Sequence, residues 1–78
     1  MKELVENIVT ALVDSPENVK INETVGESVI ILEINVSESD VGKVIGKEGR
    51  IANAIRTIVK ASAAKQNKKV SVEIITAD

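Results

Sequence analysis

The chain has 78 residues, ten Lys or Arg against twelve Asp or Glu for a net charge of −2, and no cysteine, histidine or aromatic residue. Disulfides, thiolate and imidazole metal sites and base stacking on aromatic rings are therefore excluded, and acid–base chemistry is left to carboxylates and lysines. One small domain over residues 1–78 is expected, with a thin core of Ile, Val, Leu and Ala, because a chain this short buries only about 60% of its unfolded surface.

Leu4, Val5, Ile8, Val9, Leu12 and Val13 recur at spacings of one, three and four, which predicts a helix with one apolar stripe. Asp14-Ser15-Pro16 ends it, since proline disfavours helical backbone in the residue before it. Val19-Lys20-Ile21-Asn22 then alternates at period two, and after Gly26-Glu27-Ser28 comes the apolar run Val29 to Val36. These two segments read as a hairpin. Ile30, Leu32, Ile34 and Val36 share its inner face, while Val29, Ile31, Glu33 and Asn35 share a half-wet outer face.

Ser37-x-x-Asp40 resembles a capping box with Asp in place of Glu, opening a short helix through Val41, Val44 and Ile45 that Gly46 closes. A second helix begins near Arg50, with Ile51, Ala54, Ile55, Ile58 and Ser62 expected inward and Asn53, Arg56 and Lys60 opposite; it fades at Gln66-Asn67. The final strand turns Val70, Val72 and Ile74 inward. Strand, two helices, strand is a crossover, and its right-handed form returns the last strand parallel to the 29–36 strand, which becomes central.

Between the two middle helices, Gly46 and Gly49 bracket Lys47 and Glu48, with aliphatic runs on both sides. Glycines so placed let another molecule approach the main chain, and the N-terminal end of the following helix favours a phosphate, helped by Lys47 and Arg50. The charge distribution agrees. Residues 1–40 carry two Lys against nine acids, whereas residues 41–69 carry eight Lys or Arg against Glu48 alone, so a basic face exists despite the negative total. Lys60, Lys65, Lys68 and Lys69 are read as solvated surface rather than direct contacts. Gly42 to Glu48 approaches a P-loop, but three residues rather than four separate the glycines, and Glu48 stands where a magnesium-binding Ser or Thr belongs. The P-loop reading fails, and neither an enzyme nor a cofactor is expected.

The element order αββααβ, with Val44-Ile45-Gly46-Lys47-Glu48-Gly49-Arg50-Ile51 joining the middle helices, resembles the type II KH fold of RNA-binding proteins, and in size is similar to the KhpA-type family of small bacterial single-domain KH proteins. The resemblance covers the whole chain. It implies an α+β fold, a three-stranded mixed sheet with helices packed on one face, and a GxxG loop that clamps about four nucleotides of single-stranded RNA beside an aliphatic groove. Carried over, Gly46, Lys47, Glu48 and Gly49 form the clamp, Lys43 and Arg50 flank it, and Val41, Val44, Ile45 and Ile51 face strand 70–75 across the groove. For Val44, Ile45 and Ile51 plain core packing stands beside groove lining. Glu48 either repels phosphate or turns away.

Without stacking, which supplies roughly 1–3 kcal/mol per base, one such domain binds weakly, and pairing with a second subunit compensates through effective concentration. The resemblance accordingly implies a homodimer, a heterodimer with a larger KhpB-type KH-domain protein, or both, and a cytoplasmic RNA chaperone or post-transcriptional regulator linked to cell-wall biogenesis and cell shape. No apolar run reaches the roughly 18 residues of a membrane span and no signal peptide is visible, so no membrane association is expected. The alternative is a KH-like protein-interaction module without RNA, using the side of helix 50–66 that carries Thr57, Ala61 and Ala64.

Overall fold

In the computed structural model, which describes residues 1–76, the chain begins with helix α1 (Lys2–Leu12). Val5 and Val9 are fully buried and Val13 nearly so, while Leu4 is 43% exposed, so the apolar stripe is narrower than its sequence spacing suggested. Pro16 opens a single 3₁₀ turn, Pro16–Asn18, where its missing N–H is harmless.

Strand β1 (Lys20–Val25) pairs antiparallel with β2 (Val29–Val36), Ile21 opposite Ile34 and Val25 opposite Ile30. It runs three residues past the expected Asn22 because the longer β2 offers partners up to the turn, which Gly26 N–H closes onto the Val29 carbonyl at 2.7 Å. Strand β3 (Lys69–Thr76) pairs parallel with β2, Leu32 beside Val72 and Ile34 beside Ile74, giving the order β1-β2-β3 among the described residues. The central position of β2 explains its composition. Ile30, Leu32, Ile34 and Val36 lie under the helices and are buried, whereas Ile31 and Val29 on the opposite face remain more than a third exposed.

Helices α2 (Val41–Ile45) and α3 (Arg50–Ala64) complete the crossover and both pack against β3. The buried stripe of α3 is Ala52, Ile55, Val59 and Ala63, not the expected set. Ala54 is exposed, as is Ile58 at 45%. The reason is steric. Apolar residues occupy most of the circumference of α3, so periodicity alone admits two faces, and the one with alanines at 52 and 63 lets the helix axis approach the sheet closely while Ile55 and Val59 fill the core. Asn67, at φ +58°, ends the helix as a left-handed cap: Asn67 N–H donates to the Ala64 carbonyl and Lys68 N–H to the Ala63 carbonyl, both at 3.0 Å.

Ser37 and Asp40 do not form the expected capping box. A 3₁₀ turn (Glu38–Asp40) precedes α2, and Asp40 is completely buried. Its carboxylate accepts hydrogen bonds from the backbone N–H groups of Asp14 at 3.1 Å and Ser15 at 3.0 Å and from the Ser37 hydroxyl at 3.1 Å. The pairing partner is thus the loop after α1, a long-range contact that no local motif could announce.

Candidate nucleic-acid interface

The loop between α2 and α3 owes its shape to three residues at positive φ, Gly46, Glu48 and Gly49, with the ordinary residue Lys47 between the first two. Gly46 closes α2 with its N–H on the Gly42 carbonyl at 2.8 Å and then takes φ 77° and ψ 175°, a region open essentially to glycine alone. Lys47 follows in a tight turn, and Glu48 (φ 57°, ψ 24°) and Gly49 (φ 75°, ψ 12°) are both left-handed. A Cβ on Gly46 would lie 2.6 Å from Ile51 Cγ1, so the loop folds directly over the first turn of α3. At Gly49 the nearest atom would be Asn53 Nδ2 at 3.8 Å, so there the backbone angle rather than crowding calls for glycine. Among the described residues no side chain caps α3; its Arg50 N–H is taken by the Lys47 carbonyl, and its positive dipole end faces the loop.

The charged residues divide into two groups. Lys47 is exposed and makes no ion pair among the described residues. Arg50 reaches Glu48 Oε2 at 3.5 Å, both side chains being more than two-thirds exposed, so the Glu48 carboxylate sits beside a cation while remaining in water. Lys43, expected to flank the clamp, is engaged elsewhere. Its ammonium lies 2.8 Å from Asp14 and 3.6 Å from Asp40, and the bond to Asp14 raises its pKa above the usual lysine range. The backbone N–H of Asp14, helped by those of Ser15 and the Ser37 hydroxyl, holds the Asp40 carboxyl below its usual range against the opposing effect of burial.

Of the aliphatic residues considered for the groove, Val44 is fully buried and belongs to the core. Ile45, one residue on, is 38% exposed beside the loop. Val41 and Ile51 are half-buried and pack on the core, as do Val70, Val72 and Ile74 of β3. The structure thus brings Gly46, Lys47, Glu48, Gly49 and Arg50 together at one exposed corner with Ile45, and withdraws Lys43 and Val44 from it. Sequence reasoning missed the hollows between α3 and β3, which lie nearer the far end of α3 and are rimmed by Arg56, Lys60, Lys68 and Lys69. The signal in the sequence is the stretch from Arg50 to Lys69, which carries six Lys or Arg and no acid.

Comparison with known proteins follows the same lines. A family model described as KhpA/KhpB, KH domain, matches residues 2–74. The chain is 68% identical over 75 residues to RNA-binding protein KhpA of Clostridium perfringens, covering 96% of this chain and 100% of that protein. Identity is 59% to the protein of the same name in Clostridium acetobutylicum, with the same coverage, and 49% in Chlamydia trachomatis, with 96% of each chain covered. No solved structure matches significantly.

Proposed function

The chain belongs to the KhpA/KhpB KH-domain family, and from that premise we propose that it binds single-stranded RNA, gripping the sugar–phosphate backbone with the Gly46–Gly49 loop. The family is one of RNA-binding KH-domain proteins and not of enzymes, and the αββααβ order with its three-stranded mixed sheet is the type II KH fold. The observation that carries the reading is the loop itself. Its glycine-dependent backbone, Lys47, which makes no ion pair among the described residues, and the positive dipole end of α3 converge on one exposed corner, where a phosphate would meet the helix dipole and a full charge together. Arg50 serves beside Lys47, with Glu48 holding its guanidinium at the loop. Ile45 offers an accessible aliphatic wall, Val44 supports it from the core, and Lys43 fixes the loop after α1 instead of touching RNA.

Replacing Lys47 and Glu48 together by aspartate tests this. Both are exposed, so the fold should persist, and aspartate tolerates the left-handed backbone at position 48. For the unmodified protein, about three phosphate contacts give a salt slope near −2 on a mixed-sequence single strand, at roughly −0.7 per contact. The double variant should lose most of the binding and flatten the slope, with thermal melting as the fold control. A folded double variant with unchanged affinity and slope would place the RNA elsewhere.

The same reading extends to an RNA chaperone or post-transcriptional regulator in the cytoplasm, acting as a homodimer or with a KhpB-type partner in processes that govern cell wall and cell shape. Among the described residues no helix is long and apolar enough to cross a membrane. Ile58, 45% exposed and flanked on α3 by the exposed Ala54 and Ala61, favours a subunit interface there, in addition to RNA binding rather than in place of it.

A further inference from the structure

We infer that Lys43, paired with Asp14 and Asp40, is a positioning residue for RNA binding: the three side chains lock α2 to the segment after α1 and so fix where the Gly46–Gly49 loop stands over α3. This rests on the RNA-binding reading above and names the part of the fold on which its clamp depends. The need for a lock follows from length. Helix α2 has five residues, Val41–Ile45, far short of the roughly 12–15 at which an isolated helix becomes marginally stable. Its own backbone cannot hold the loop in place, so its position is imposed from outside.

Contacts at three levels impose it. Ahead of α2, the buried Asp40 carboxylate accepts the N–H groups of Asp14 at 3.1 Å and Ser15 at 3.0 Å. Within α2, Val44 is fully buried in the core, and the Lys43 ammonium reaches back to lie 2.8 Å from the Asp14 carboxylate and 3.6 Å from that of Asp40. At its end, Gly46 stands so close to α3 that a Cβ there would lie 2.6 Å from Ile51 Cγ1. The helix is therefore a strut between the segment at 14–15 and the first turn of α3. From Asp40 to Gly46 it covers about 9 Å at 1.5 Å per residue, so a tilt of about 10° at its base shifts the loop by roughly 1.5 Å. Asp40 has donors besides Lys43, but among the described residues Lys43 is the only cation paired with Asp14. Charge argues against a direct role on RNA. One ammonium between two carboxylates leaves a local charge of about −1, which repels a phosphate instead of holding it.

The test titrates a mixed-sequence single-stranded RNA across a salt series with the unmodified protein and with Lys43→Gln, Asp14→Ala and Lys43→Arg. The Lys43 and Asp14 side chains are 44% and 78% exposed, so the variants should fold, with thermal melting as the control. Bare electrostatics and positioning predict opposite signs at Asp14. Removing an acid near a polyanion raises affinity, and a Lys43 set free to reach a phosphate would steepen the salt slope by about 0.7. A loosened strut instead lowers affinity by about two- to thirtyfold in both Asp14→Ala and Lys43→Gln, at unchanged slope, because the phosphate contacts stay the same in number. Lys43→Arg keeps the charge and should bind more tightly than Lys43→Gln. Higher or unchanged affinity in Asp14→Ala, a slope shallower by about 0.7 in Lys43→Gln, or no recovery in Lys43→Arg would overturn the positioning role. If Lys43→Gln fails to fold, Asp14→Ala decides by its sign. Failure of the unmodified protein to bind, or binding that survives Lys47→Asp with Glu48→Asp, would instead refute the loop reading and this inference with it.

Discussion

Gly46 and Gly49 look equivalent in the sequence, yet they do different physical work. Gly46 occupies a region of backbone space that side chains hardly enter, and any Cβ there would run into Ile51. Gly49 sits in the ordinary left-handed region with open space around it, which asparagine also adopts. Gly46→Asn should therefore destabilise the fold by on the order of 3 kcal/mol, combining backbone strain with overpacking. Gly49→Asn should be milder, at about 1 kcal/mol or less. Urea denaturation of the two variants checks the order, and an equal or reversed effect would show that the contact of Gly46 with Ile51 does not hold the loop. That both glycines belong to a loop was legible in the sequence from their spacing and the charged pair between them. Their inequality was not, because it depends on where Ile51 is carried by α3.

At the scale of elements, Asp40 is the joint between the loop after α1 and the start of α2. Its folded pKa is depressed, chiefly by the Asp14 backbone N–H, so the unfolded chain takes up a proton at this group at a higher pH than the folded one. The stabilisation is therefore complete well above the unfolded value near 3.9 and is lost progressively as pH falls from there toward the folded value. Asp40→Asn should lower Tm at pH 7 by on the order of 10 °C, since it leaves a backbone N–H facing an amide donor or weakens two charge-assisted bonds. It should also flatten the fall in Tm between about pH 5 and pH 3. Melting curves across that interval decide it; an unchanged pH profile would remove Asp40 as the titrating joint. The secondary structure itself was read correctly in kind and order because periodicity is a local property. The burial stripe of α3 departs from its periodicity at the exposed Ala54 and Ile58, because a helix apolar on several sides leaves the choice of face to the sheet beneath it.

For the whole molecule, α3 presents two separate surfaces. At 100° per residue, Ile58 stands about 160° around the helix from both Arg56 and Lys60. A subunit docked on Ala54, Ile58 and Ala61 would thus leave the opposite flank of α3 open, and two Gly46–Gly49 loops in one dimer would gain effective concentration for a common RNA. Self-association is expected at concentrations on the order of tens of micromolar by sedimentation equilibrium, corresponding to roughly −6 to −7 kcal/mol. Ala61→Tyr should weaken it about tenfold or more by obstructing close approach, without altering binding to an RNA short enough to occupy one clamp. A monomeric mass throughout that range would exclude the dimer, and an unaffected dimer in Ala61→Tyr would move the interface off this face.

The order of elements, the central place of β2 with its alternating inner face, the Gly46–Gly49 loop and the separation of acidic from basic segments were all determined by the sequence alone. Each depends on neighbours a few residues apart, or on the rule that parallel crossovers are right-handed. Tertiary structure alone decided which cations are free. Lys43 and Lys47 read alike along the chain, but folding brings Asp14 and Asp40 to Lys43, leaves Lys47 without an ion pair among the described residues, and sets Lys68 and Lys69 across a cleft from Arg56 and Lys60. A charge acts through distance in space, and the distances between α1, α2, α3 and β3 exist only once the core has closed.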